Sequence, residues 1–151
     1  MSTDHQQRRA RGLETLKSLT GTDDPQAFAD QLEAENGPLA SFALNFPLGD
    51  IWHRPGLSRR DRNLVVISIL GALHQTNQLA VYVRAGINHG LKPEEIREIL
   101  THMCAYAGFP RALDAMAVAN RVLSDMGHAP EGGKLPPAER LNDSERRKRG
   151  V

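Results

Sequence analysis

The sequence predicts an all-α protein, and three features carry that reading. Proline and glycine fall where helices start and stop, as in "TDDPQ", "NGPLA", "LKPEE" and "AGFPR". The segment from Gln6 to Leu19 is amphipathic at helical spacing. The one stretch with strand character, "LVVISIL", continues past strand length with no turn signal beside it, so it too reads as helix.

Taken in order, the first helix ends in "TGTDDP", where Asp24 can cap and Pro25 can open "PQAFADQLEAEN". Gly37 and Pro38 repeat the stop and start before "PLASFALNF". "PLGDIWHRPG" holds two prolines and two glycines around a tryptophan and reads as an ordered loop. Ser58 with Asp61 resembles a capping box and starts the helix "RRDRNLVVISILGALHQ". Thr76 or Asn77 caps the next, which runs to Asn88 or His89 with Gly90 beyond. Pro93, Glu94 and Glu95 form a first turn with acids at the positive end of the helix dipole. Gly108 and Pro110 break that helix, and "PRALDAMAVANRVLSDMG" is the last. Residues 1–127 form one domain, and the Gly, Pro and charge content of 128–151 predicts a flexible charged tail.

Composition narrows the function classes. A chain of 151 residues, 40% apolar and 25% charged, suits one globular domain, and a formal charge of +1 gives no global pull toward nucleic acid or an anionic membrane. The basic runs "QQRRAR" and "ERRKRG" read as solvated termini. A single cysteine, Cys104, allows no intramolecular disulfide or cysteine-based zinc site, which makes a reducing cytoplasm the expected compartment. The first residues are polar without an apolar signal core, and "LVVISILGAL" is too short to span a bilayer. Walker, GxGxxG, HExxH, GxSxG and EF-hand patterns do not occur.

Four pieces, "GDIWHRPGL", Arg62, "GLKPEEIREIL" and "YAGFPRALDA", resemble the carboxymuconolactone decarboxylase family, within the superfamily that includes the thiol peroxidase-like alkylhydroperoxidase D proteins. The resemblance covers residues 49–127. It implies an alkylhydroperoxidase D-like helical fold of about six to seven helices, assembled as a homo-oligomeric ring, a trimer or hexamer, with sites near subunit interfaces. It also implies a lyase without metal or organic cofactor that releases carbon dioxide from 4-carboxymuconolactone in aromatic catabolism. The expected partner is a small cyclic carboxylate or lactone, with no role for nucleic acid or membrane.

The stretch "HQTNQLAVYVRAGINHG", residues 74–90, is where the resemblance puts the reactive groups. Peroxidase relatives carry CxxC and a histidine four residues on; here Gln75, Gln78 and Tyr82 stand at those positions, and glutamine cannot form the attacking thiolate. Decarboxylase relatives carry Glu at Gln78 and His at Tyr82. Loss of carbon dioxide leaves an enolate that must be protonated at carbon, which glutamine cannot do and tyrosine can. Gln78 and Tyr82 are an i, i+4 pair expected on a buried face with Gln75, continued by Gly86, where another backbone would approach. Either the pair lines a ligand pocket or its members satisfy each other or a neighbouring subunit. Tyr82, His74 and Gln78 are the catalytic candidates, with His53 a further proton carrier. Arg54 and Arg84 are candidate carboxylate anchors because a guanidinium meets a carboxylate with two hydrogen bonds. Arg62 anchors substrate or fixes a helix start, and Arg59 and Arg60 are read as solvated. Trp52 and Tyr106 complete the substrate-binding set, and His89 is read as a cation at a helix C-terminus.

Three classes stay open: a lyase of the decarboxylase type, a relative with divergent acid–base chemistry such as an isomerase, cyclase or lactone-acting enzyme, and a non-catalytic ring-forming binding protein. Thiol peroxidase chemistry is disfavoured.

Overall fold

The structure is a computed structural model, and it describes residues 3–129. Seven α-helices follow in order: α1 (Thr3–Thr20), α2 (Pro25–Asn36), α3 (Pro38–Ala43), α4 (Arg59–Ala72), α5 (Thr76–Asn88), α6 (Pro93–Ala107) and α7 (Phe109–Asp125). A π-helical turn (Leu44–Leu48) and a 3₁₀ turn (Ile51–His53) join α3 to α4. The all-α class and the helix count agree with the sequence. The segment read as a tail lies, from residue 130 on, outside the described residues.

Local chemistry explains most boundaries. Asp24 accepts from Ala27 N (2.9 Å) at the start of α2, and Ser58 accepts from Asp61 N (3.1 Å) at the start of α4. The Glu95 carboxylate accepts the Lys92 N–H (2.9 Å), closing the first turn of α6. Gly108, at φ 89°, takes the left-handed conformation that lets α7 begin one residue after α6 ends.

Three boundaries differ from expectation. The loop around Trp52 is partly helical, because the chain leaves α3 through the π turn, with Pro47 inside it, and tightens into the 3₁₀ turn. Helix α4 stops at Ala72 rather than Gln75, since His74 takes φ 58° and turns the chain. Helix α5 is then capped by Gln75, with no side-chain bond, instead of by Thr76 or Asn77.

Two apolar cores result. The larger joins Ile67 of α4, Leu79 and Val83 of α5, Ile96 and Leu100 of α6 and Leu123 of α7. The smaller gathers Leu16 and Leu19 of α1, Ala29, Leu44, Leu48, Trp52 and Ala85. Tyr82 packs against both, so α5 is the shared wall.

Helix α1 lies unusually close to the π turn, and glycines make that possible. A Cβ on Gly12 would run into the Leu44 carbonyl, and one on Gly49 would sit 2.5 Å from the carbonyl oxygens of Arg8 and Asn45. Across the same seam Thr15 donates to Leu48 O (2.9 Å), Arg11 Nε donates to Gly49 O (2.7 Å), and Arg11 reaches Asp50 (2.9 Å). Arg9 and Glu33 (2.7 Å) tie α1 to α2, and that guanidinium holds the Glu33 carboxyl below its ordinary range.

Gly12→Ala tests this packing. Alanine gains about 1 kcal/mol in helix propensity, but the clash with backbone costs about 1–3 kcal/mol, so thermal unfolding is expected at lower temperature. Gly56→Ala, where nothing lies within 4 Å, is the control and should leave the melting temperature unchanged.

Candidate active site

Helix α5 presents chemistry on two opposite faces. One side opens on a groove of about 580 Å³ between α5 and α7. Ala80, Ala117 and Val118 contribute apolar wall, and the first turn of α5, through Thr76 and Asn77, brings the positive end of a helix dipole to it. His74 Nδ1 faces Asp114 Oδ2 at 3.5 Å, and Arg84 Nη2 faces Asp125 Oδ2 at 3.8 Å. Arg121 lines the groove as well. All four paired side chains are at least half exposed, so these contacts are weak and open to exchange with a ligand. His74 is the only non-glycine residue with positive φ among the described residues. Holding a residue with a Cβ there costs energy, and the conformation turns the chain from α4 into α5.

The opposite side of α5 is partly covered. Tyr82 lies two residues from both Ala80 and Arg84, about 160° round the helix. Its ring stacks on Trp52 with centroids 6.2 Å apart and planes at 27°. Trp52, only 7% exposed, also meets the His89 ring at 5.8 Å. Burial pushes the Tyr82 phenol above its ordinary value of 10.0, so it stays protonated at neutral pH. His89 is turned inward, with Asn63 Nδ2 donating to its Nδ1. Its neutral ring therefore carries its hydrogen on Nε2, which is buried and has no well-formed partner. Burial lowers the His89 pKa below 6.5, and the charge of Arg59 lowers it further. The reading of His89 as a dipole-stabilising cation is thus corrected: desolvation and a neighbouring guanidinium outweigh the helix dipole.

Among the described residues no three His, Cys, Asp or Glu side chains converge to hold a metal ion. Both faces of α5 fall within residues 38–121, which match the model of the carboxymuconolactone decarboxylase family. The chain belongs to that family. It is 36% identical over 126 residues to a 4-carboxymuconolactone decarboxylase of Acinetobacter baylyi, covering 83% of this chain and 94% of the relative. It is also 27% identical over 115 residues to a nitrosuccinic acid decarboxylase of Metarhizium robertsii, covering 76% and 80%. The match to the carboxymuconolactone decarboxylase model begins eleven residues before Gly49, where the resemblance was first legible, and so takes in α3 and the π turn.

Within this family member the sequence-selected residues fall into separate places. His74 and Arg84 meet in the groove, while Tyr82 and Trp52 meet inside the protein. Gln78 shares the Tyr82 side of α5 but is exposed, and Gln75 is exposed outside the helix, so the expected buried polar face is absent. Gly86 is approached by the side chains of Leu91, Ile67 and Ile96, not by another backbone. His53 Nε2 lies 2.9 Å from Thr15 Oγ1 and 3.0 Å from Arg11 O, which commits it to holding α1. Arg54 is exposed, and its carbonyl accepts from Arg62 (2.6 Å). Tyr106 is 82% exposed beside His102 on a third face, between α4 and α6. Arg59 and Arg60, read as solvated, pair with Glu14 (2.6 Å) and Glu95. Sequence reasoning missed Asp114, Arg121 and Asp125. Their signal was an i, i+7, i+11 spacing that sets three charges within about 40° on one stripe of α7.

His89 makes a testable pH dependence. Its folded pKa is depressed, so the unfolded chain binds this proton more readily; its contribution is intact above 6.5 and declines as pH falls below that value. Urea unfolding from about pH 7.5 to about 5.5 should show a loss of stability that is smaller in His89→Gln. Equal slopes for the two proteins would show that His89 does not carry the effect.

Proposed function

We propose that this chain is a cofactor-independent, decarboxylase-like lyase that removes carbon dioxide from a small cyclic carboxylate or lactone, with the groove between α5 and α7 as its site. The observation that carries this reading is that His74 and Arg84, a proton carrier and a carboxylate anchor, open on the same groove. The names of the two relatives support it, since both are decarboxylases and one acts on 4-carboxymuconolactone.

The chemistry follows from the groups present. A substrate carboxylate displaces Asp125 from the exposed Arg84 and takes two charge-assisted hydrogen bonds. The bond from ring carbon to the departing carboxylate breaks, carbon dioxide leaves, and the electron pair spreads into the conjugated lactone carbonyl as an extended enolate. His74, oriented by Asp114, delivers a proton to carbon and is reprotonated from solvent. The substrate's own carbonyl serves as the electron sink, which is why no cofactor enters. Tyr82 acts from behind, fixing α5 by its stack on Trp52.

This reading includes a cytoplasmic enzyme of aromatic catabolism and a homo-oligomeric ring, a trimer or hexamer. What supports the ring is apolar surface: Leu39, Phe42 and Phe46 on one side, and Leu73, Phe109 and Leu113 on another, are each more than half exposed. Monomers rarely leave such surface to water. Among the described residues no helix is long and apolar enough to cross a membrane. Divergent acid–base chemistry, such as isomerisation, is the second reading, favoured by the half-buried Tyr82 and exposed Gln78 where decarboxylase relatives are expected to carry His and Glu.

Incubation with enzymatically generated 4-carboxymuconolactone should release carbon dioxide. His74→Ala should lower kcat by roughly 10²–10⁴-fold, Arg84→Ala should chiefly raise KM, and Tyr82→Phe should retain most activity. No release from a folded, assembled protein would remove the decarboxylase reading for this substrate, and a product isomeric with the lactone would establish the second. Light scattering of Leu113→Asp should report a smaller particle than wild type; an unchanged mass would take that face out of the assembly.

A further inference from the structure

Helix α4 ends on a carbonyl left without a backbone partner. In an uninterrupted helix the Ala72 carbonyl would accept the N–H of Thr76, but His74 at φ 58° turns the chain, and no backbone N–H donates to Ala72 O among the described residues. Arg111, in the first turn of α7, takes that carbonyl: its Nη1 donates to Ala72 O at 2.5 Å. This placement runs against the local rule for α7, where a cation meets the positive end of the helix dipole and no acid stands in the first turn. It suits the C-terminus of α4 instead, whose partial negative charge it meets directly. Arg111 and Asp114 share one face of α7, and each reaches across to the α4–α5 turn, Arg111 to Ala72 and Asp114 to His74. The helices are tightly packed beside this point: a Cβ on Gly71 would lie 2.8 Å from Met103 Sδ and 3.4 Å from Ala115 Cβ.

We propose that Arg111 is a positioning residue: by fixing the end of α4 against α7 it holds His74 beside Asp114, with the imidazole turned into the groove. Two contacts, Arg111 with Ala72 O and His74 with Asp114, grip the α4–α5 turn on either side of Leu73. The second alone holds it weakly, since the His74 and Asp114 side chains are more than half exposed and 3.5 Å apart. His74 also sits in a conformation that a residue with a Cβ resists, so a turn released at Ala72 relaxes away from it. Without Arg111 the loss falls on the aim of one ring and not on the fold, because Arg111 is exposed and belongs to neither apolar core. It does not line the groove either, so it acts on a ligand there only through His74. The inference deepens the function proposed above and rests on the same groove being the site.

The test uses the full chain. With 4-carboxymuconolactone, Arg111→Met should lower kcat about tenfold while KM changes by less than about twofold, and Arg111→Lys should recover part of the loss. In a His74→Ala background Arg111→Met should have no further effect, because a residue that acts through His74 then has nothing to aim. Because Arg111 is exposed, the variants should melt close to wild type. Proton NMR of the His74 ring, assigned by its loss in His74→Gln, gives a readout apart from activity. Asp114→Asn should move that resonance in the wild-type background and leave it in place in Arg111→Met. A kcat unchanged by Arg111→Met, an equal loss with and without His74, or a resonance that answers to Asp114→Asn regardless of Arg111 would overturn the inference. A response that requires Arg111, in a protein that releases no carbon dioxide, would uphold it and remove the decarboxylase reading. Carbon dioxide release with a response indifferent to Arg111 would do the reverse.

Discussion

The structure depends on α5 serving two cores at once. Leu79 and Val83 belong to the larger core, Ala85 to the smaller, and Tyr82 touches both. A helix with apolar neighbours on two sides has little freedom to rotate or slide, because its side chains must interdigitate with both at interior density. Gly86 adds to the constraint: a Cβ there would stand 3.1 Å from Leu91 and 3.3 Å from Ile67, tighter than ordinary contact. The remaining face of α5 is left for solvent and charge, and there it meets α7.

That division accounts for how much the sequence reveals. Helix positions are written in local chemistry, through Asp24, Ser58, Pro93 and Gly108, and they read directly. The family, too, is carried by contiguous motifs. The candidate site is harder because its groups come from elements separated in sequence: His74 and Asp114 are forty residues apart, and no periodicity within one helix announces their pairing. Spacing alone grouped Gln75, Gln78 and Tyr82, correctly placing the last two on one side of α5. It could not show that Tyr82 packs on the smaller core, against Trp52, while Gln78 is left in water. The contacts of His53 are hidden for a similar reason. The resemblance singles it out as a proton carrier, and nothing in the sequence shows that its Nε2 meets Thr15 and Arg11 of the first helix.

The α1 seam shows how backbone proximity substitutes for a larger core. Glycines at 12 and 49 bring α1 down on the π turn until side chains can reach main-chain carbonyls directly, as Thr15 and Arg11 do. These bonds anchor the segment that carries Trp52, and Trp52 in turn backs Tyr82. Polar contacts at the periphery thus fix an aromatic pair in the interior, and the pair fixes the helix that bears the groove.

Placing an aromatic stack and a charged groove back to back on one helix has a consequence for how this scaffold can diversify. The helix is only about 10 Å across, so the packing of Trp52, Tyr82, His89 and Asn63 on one side holds α5 in the register that sets Arg84 against α7 on the other. A substitution among these four residues therefore bears on the groove through the packing of α5.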